Sequence, residues 1–185
     1  MKRDSERIYD EFLVAAAIAG DRLALRRLVA RWQPRLWRHA WRVLGDADRA
    51  KDMVQDAWMD IVKGLHRLDD VVAFPAWAYR IVTRRCQRAF NAAGRAREIA
   101  ETDAQEYVPE SADHDAGEIA AELSIVMEAI ARLPAAQRAA MALFYLEEFS
   151  VAEIAIATDV PPGTVKTRLL HARRKVRAIL NGENS

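Results

Sequence analysis

SVAEIAIATDVPPGTVKTRLLHARRKVRAIL, residues 150–180, reads as a short helix, a tight turn and a second helix loaded with cations. Ser150 and Glu153 have the spacing of a capping box, in which each side chain satisfies the other's free backbone N–H. Ala152, Ile154, Ala155 and Ala157 make the first helix small and apolar enough to pack closely. Asp159–Gly163 (DVPPG) breaks the chain, because two prolines cannot sit in a helix interior. Beyond it Val165, Leu169, Leu170, Val176 and Leu180 mark one side, and Lys166, Arg168, His171, Arg173, Arg174, Lys175 and Arg177 fall largely on the others. A support helix followed by a basic helix is the helix-turn-helix plan, whose second helix enters the major groove of DNA. The competing reading is a plain helical hairpin with a solvated basic face.

Working outward, the chain has 185 residues, 51% of them hydrophobic, which allows one domain or two small ones with a real core. No apolar run approaches a membrane span. Phe12–Ala19 is apolar but short, and lacks a signal-peptide layout. A single cysteine, Cys86, excludes an internal disulfide framework or a multi-cysteine zinc site and fits a reducing cytoplasm. The histidines (His39, His66, His114, His171) are scattered, and no glycine-rich phosphate loop or nucleophile motif occurs, so no metal, cofactor or enzymatic activity is expected.

The net charge of +1 hides a strong partition. Residues 1–97 hold 20 Lys/Arg against 12 Asp/Glu, a net of +8. Residues 98–128 hold 10 Asp/Glu and no Lys/Arg, and residues 129–185 return to 8 against 5. The acidic stretch has no sustained helical period over most of its length and reads as a solvated linker. The rest is all-α by pattern, with helices expected near 5–19, 22–44, 47–64, 75–91, 119–132, 135–146, 151–158 and 163–180. Gly20-Asp21 and Gly45-Asp46 each pair a C-terminal glycine with an N-cap. The expected architecture is two small helical domains, 1–97 and 129–185, joined by a flexible acidic linker, 98–128, with the helix-turn-helix in the second.

Two helices of the first domain have opposite characters. Ala50, Met53, Val54, Ala57, Trp58, Ile61, Val62 and Leu65 form a core stripe, and away from it Asp52, Asp56 and Asp60 step by four with Gln55 beside them. Like charges at that spacing repel. The ridge is either a docking surface for a basic partner or a solvated face. The following helix opens on Phe74-Pro75 and carries Arg80, Arg84, Arg85 and Arg88, interleaved with Trp77, Tyr79 and Phe90. Guanidinium groups pair phosphates and aromatic faces stack on bases, although Trp77 also suits a core.

Together these segments resemble the extracytoplasmic-function sigma factors of bacterial RNA polymerase. DADRAKDMVQDAWMDIVK (46–63) is similar to the family's polymerase-binding helix, and FPAWAYRIVTRRC (74–86) to the helix that follows it. LPAAQRAAMALFYLEEFSVAEIA (133–155) with PPGTVKTRLLHARRKV (161–176) resembles the promoter-reading C-terminal domain. The resemblance implies that Asp52, Gln55, Asp56 and Met59 bind core RNA polymerase, its largest and second-largest subunits being the partners. It places His66, Arg67, Phe74, Trp77, Arg80, Arg84 and Arg88 at the melted minus-ten element of promoter DNA, through the loop 66–76 and the face of the fourth helix. It places Thr164, Lys166, Thr167, Arg168, Leu170, His171, Arg173 and Arg174 at the duplex minus-thirty-five element. It further implies a cytoplasmic protein, controlled by an anti-sigma factor that is often held at the inner membrane, with no insertion of its own.

The chain departs from the family's pattern at Arg84, aligned with a frequent Asn, at Arg88, where an acidic residue is common, and at Lys51, where Glu is common. The base preference at minus ten is therefore left unassigned. Two rivals stay open. A helix-turn-helix regulator acting without polymerase leaves the acidic helix unexplained, and a decoy that binds only an anti-sigma factor has no use for Lys166, Arg168 and Arg173.

Overall fold

Two glycine–aspartate pairs set the first three helices. In the computed structural model, which describes residues 2–99, 125–126 and 128–181, helix α1 (Lys2–Ile18) ends at Gly20 with φ +93°. Asp21 then caps α2 (Arg22–Leu44), its carboxylate accepting from the N–H groups of Leu23 and Ala24 at 2.7 and 3.1 Å. The device recurs at Gly45, φ +75°, and at Asp46, which accepts from Arg49 N–H at 2.9 Å and starts α3 (Ala47–Gly64). Only glycine adopts such left-handed angles without cost, and a short side chain with an oxygen satisfies the orphan donors that follow. Helix α2 runs unbroken through Pro34.

Two single-turn 3-10 segments, Leu65–Arg67 and Val71–Ala73, lead into α4 (Phe74–Ile99). This helix outruns the expected end near 91 because Ala92, Ala93, Arg95, Ala96 and Arg97 are strong helix formers that outweigh Gly94. The core is built from one stripe of each helix: Leu13 and Val14; Leu28, Trp32 and Leu36; Val54, Ala57 and Ile61; Phe74, Tyr79 and Val82. Arg31 and Arg35 of α2 reach the nearly buried Asp10 of α1, tying the first two helices together by charge as well as by packing.

The C-terminal part contains α5 (Ala135–Tyr145), α6 (Val151–Thr158) and α7 (Pro162–Leu180) around Leu143, Ile154, Val165 and Leu169. The capping box is formed, with Ser150 N–H donating to Glu153 at 2.8 Å and Glu153 N–H to Ser150 Oγ at 3.2 Å. Among the described residues there is no strand. The expected linker 98–128 and the N-terminal part of the helix expected at 119–132 lie almost wholly outside the described residues.

One feature goes beyond two domains on a tether: the two parts share a continuous core. Tyr79 of α4 meets Phe149 edge to face at 5.3 Å, and Arg138 of α5 donates to the Val43 carbonyl of α2 at 3.0 Å.

Beneath this junction, fully buried His39 Nε2 pairs with Thr83 Oγ1 at 2.9 Å. Burial, and secondarily the charge of Arg42, push its imidazole down to about 3. An unfolded imidazole takes up its proton near pH 6.5, so the folded state loses stability as pH falls below that value towards 3. Between pH 7 and pH 5 the parent's unfolding free energy, measured in urea, should fall by about 2 kcal/mol more than that of His39→Gln, which has no proton to bind. Equal losses in the two proteins would contradict the buried neutral imidazole.

Candidate polymerase and nucleic-acid interfaces

Helix α3 turns Ala50, Val54, Ala57, Trp58 and Ile61 inward, which leaves Asp52, Gln55, Met59 and Asp60 exposed and Asp56 half-buried. Met59 is 54% exposed and Val62 adjoins it, so the ridge carries an apolar edge. Arg85 of α4 reaches across to it: its guanidinium lies 3.2 Å from an Asp56 oxygen and 2.6 Å from an Asp60 oxygen. By spacing alone Arg85 belongs with the cationic face of α4. In the fold it instead relieves the repulsion along α3, a pairing between helices that no spacing within either one reveals. Asp52 stands one turn before these two carboxylates, at the N-terminal end of the ridge.

The residues expected at minus ten divide into two groups. His66 and Arg67 are exposed on the first 3-10 turn, and Arg80, Arg84 and Arg88 follow one face of α4. Phe74 is a correction. Its side chain is 0% exposed and packs edge to face on Trp32 at 5.2 Å, so it offers no surface to a base. Full burial of a phenylalanine ring stabilises by about 1.5–3 kcal/mol, and the edge-to-face contact adds to it, so the ring is held in the core. Trp77 is half-buried beside Phe74 and over Gly64, where a Cβ would come within 2.9 Å of its ring. Part of one face remains open.

Helix α7 buries Val165, Leu169 and Ala172 and presents Lys166, Thr167, Leu170, His171, Arg173 and Arg174 to solvent, with Leu170 46% exposed. Thr164 is half-buried, and no side chain caps the helix start, where Pro162 occupies a first-turn position. Thr167 donates to the Gly163 carbonyl at 3.0 Å and Arg173 Nε to the Leu169 carbonyl at 3.2 Å, both folding back on their own helix. Arg168 departs from this outward set. It turns into a groove of about 500 Å³ between α4, the start of α5 and the end of α6, shared with Thr83, Arg84, Arg88 and Asp159, and its Nη1 is buried there without a hydrogen-bond partner.

Other chemistry is poorly supplied. Among the described residues no group of three or more His, Cys, Asp or Glu side chains could hold a metal, and no helix is long and apolar enough to cross a membrane. Cys86 is buried, and burial pushes its thiol up to about 12, out of the range of a working nucleophile.

Of the cations on α4, Arg85 is the one whose role the structure separates most clearly from DNA. Arg85→Ala should lower stability by about 1 kcal/mol or less, the usual worth of partly exposed pairs, and leave the salt slope of DNA binding unchanged. A flattened slope in a salt titration would return Arg85 to the DNA face.

Family profiles and relatives agree with this geometry. The profile described as Sigma-70 region 2 matches residues 28–96, and Sigma-70, region 4 matches 123–176. The ECF RNA polymerase sigma-E factor of Escherichia coli (strain K12) is 30% identical, covering 93% of this chain and 94% of its own length. The ECF RNA polymerase sigma factor SigM of Mycobacterium tuberculosis (strain H37Rv) is 32% identical over 95% of this chain and 87% of its own. Among solved structures, CnrH in complex with the cytosolic domain of CnrY aligns with TM-score 0.67 at 22% identity, covering 95% of this chain and 99% of that one. The sigma factor RpoE of Bartonella quintana, in complex with the anti-sigma factor NepR, aligns with TM-score 0.64 at 24% identity, over 86% and 98%. An acidic helix, an arginine-faced helix and a basic helix-turn-helix on one chain, with relatives at least 30% identical over more than nine-tenths of its length, place this protein in the ECF family of RNA polymerase sigma factors.

Proposed function

We propose that the protein performs its sigma-factor role through three separate surfaces. The α3 ridge of Asp52, Gln55, Asp56 and Met59 docks on basic and apolar groups of core polymerase, on its largest and second-largest subunits. The α4 face of Arg80, Arg84 and Arg88, with His66, Arg67 and the open side of Trp77, tracks the melted minus-ten strand. Helix α7 reads the minus-thirty-five duplex. Residues 1–97 and 129–185 are the functional domains, and 98–128 is the tether between them.

The observation that carries this reading is the coexistence of an exposed acidic-apolar ridge and two cationic helices on one chain. A plain operator-binding regulator has no use for the ridge. A decoy has none for the outward cations of α7. Control by an anti-sigma factor is part of the proposal, supported by the structurally similar sigma factor RpoE of Bartonella quintana, which is bound to the anti-sigma factor NepR. The site of action is the bacterial cytoplasm, with sequestration at the inner membrane wherever that partner is anchored there. The protein is a transcription regulator, acting through binding and not through catalysis of its own.

Within α7, side chains near the N-terminus reach base edges and later ones grip phosphates. Lys166 and His171 carry the sequence preference, Leu170 is placed to touch a thymine methyl, and Arg173 and Arg174 supply salt-dependent affinity.

Reversing Asp52 and Asp56 to Lys should weaken core binding by roughly 2–4 kcal/mol with helicity retained, the range for truncated or reversed interfacial charges. An anisotropy titration with unchanged affinity would reduce the ridge to solvated surface. His171→Ala should cost about 1–3 kcal/mol on the best minus-thirty-five site and far less on altered ones, whereas Arg173→Ala should weaken all sites alike. A promoter-library selection in which His171→Ala keeps the parent preference at every position would remove His171 from the readout.

A further inference from the structure

The arginines assigned to the minus-ten strand already have an anion. Asp159, in the turn of the helix-turn-helix, lies with Oδ1 2.6 Å from Arg80 Nη2 and Oδ2 3.9 Å from Arg84 Nε. The carboxylate therefore occupies the position that a backbone phosphate would take on two successive cations of that track.

Asp159 is poorly placed by charge. It is the C-cap of α6, where a negative charge meets the negative end of the helix dipole. Its φ of 56° and ψ of 45° lie in the left-handed region, which glycine takes without cost and aspartate tolerates. The pair with Arg80 and Arg84 offsets the unfavourable charge at this helix end. The approach is held by the Tyr79–Phe149 ring contact and the Arg138–Val43 hydrogen bond, and Arg7 of α1 adds a pair with Glu153 at 4.0 Å.

The strength is that of a latch. Arg80 and Asp159 are 40% and 44% exposed, so the pair is hydrated and screened by salt. Arg84, Arg88 and Arg168 also converge on the same groove, and only one carboxylate lines it with them. Like charges gathered there favour opening once a polyanion competes. The outward residues of α7, Lys166 and His171 among them, stay exposed throughout, so only one of the two DNA faces is covered.

We propose that Asp159 is an internal phosphate mimic: in the free protein the helix-turn-helix turn masks the minus-ten cations of α4, and single-stranded DNA must displace it. This rests on the assignment of Arg80 and Arg84 to the minus-ten strand. The partner displaced is the chain itself, and the ligand that replaces it is a nucleic-acid backbone.

Spin labels at Arg26→Cys and Lys175→Cys in the full chain, both exposed and outside the proposed contacts, report the separation of the two parts; buried Cys86 stays unlabelled. Asp159→Asn and Asp159→Gly both suit the left-handed backbone, so they remove the charge without straining the turn. Both should lengthen and broaden the distance distribution. Binding of a fluorescent 25-nucleotide random single strand should tighten about 2–5-fold, the factor equivalent to an exposed ion pair. Asp48→Asn, an equal charge change on the far end of α3, should alter neither reading. An unchanged distance in both Asp159 variants would overturn the latch, as would opening with no gain in affinity beyond that of Asp48→Asn. Adding Arg80→Ala and Arg84→Ala to Asp159→Asn separates the two ideas. Lost single-strand binding there supports the minus-ten assignment whatever the distances show, and unchanged binding overturns that assignment and the mimic with it.

Discussion

The structure turns on the seating of Tyr79. Among the described residues it is the largest fully buried side chain, with Trp32 at 6.1 Å, His39 at 5.0 Å and Phe149 at 5.3 Å around it. One ring thus closes the N-terminal bundle and receives the C-terminal part. Burial first, and then the facing Glu147 carboxylate, drive its phenol well above the ordinary range, so it stays neutral at any working pH. Edge-to-face rings add about 0.5–1.5 kcal/mol beyond their buried area, and Tyr79 takes part in three such contacts.

Fixing Tyr79 also fixes the neighbours of Tyr79 on α4. Successive helical residues turn by about 100°, so a buried Tyr79 puts Arg80 and Arg84 on the rim facing α6 and Arg85 on the side facing α3. The same helix therefore sends one guanidinium to calm the acidic ridge and two others to Asp159. The exposed part of each surface is what is left after these pairings. At the ridge that leaves Asp52, Gln55 and Met59 outside the pairing, with Asp56 and Asp60 held by Arg85 yet still 45% and 47% exposed; on α7 it leaves the row from Lys166 to Arg174, with Arg168 withdrawn.

Much of this was legible in the residues. Gly20-Asp21, Gly45-Asp46 and the Ser150–Glu153 box mark helix ends because their chemistry is local, and each appears with the expected hydrogen bonds. The centres of the α3 and α7 stripes were legible because burial follows the helical period, but Val62, Leu170 and Leu180, expected on those apolar sides, lie exposed at their edges. What was missed is non-local. Phe74 was read as a base contact, yet it fills the end of the core against a tryptophan 42 positions earlier. Arg85 and Arg168 look like any other surface cation until the helix opposite is known. The contact of Asp159 with Arg80 spans 79 positions, and its one sequence trace is an aspartate where a helix C-terminus prefers glycine or asparagine.

Joint action of these surfaces on polymerase and a promoter is read out by in vitro transcription of a genomic fragment library from the source bacterium, with purified core polymerase and with or without this protein. Such action yields discrete new transcripts that require both the protein and core, and that start at a fixed distance downstream of a shared pair of upstream elements. Absence of such transcripts, together with tight binding of the isolated protein to duplex operators, would contradict it.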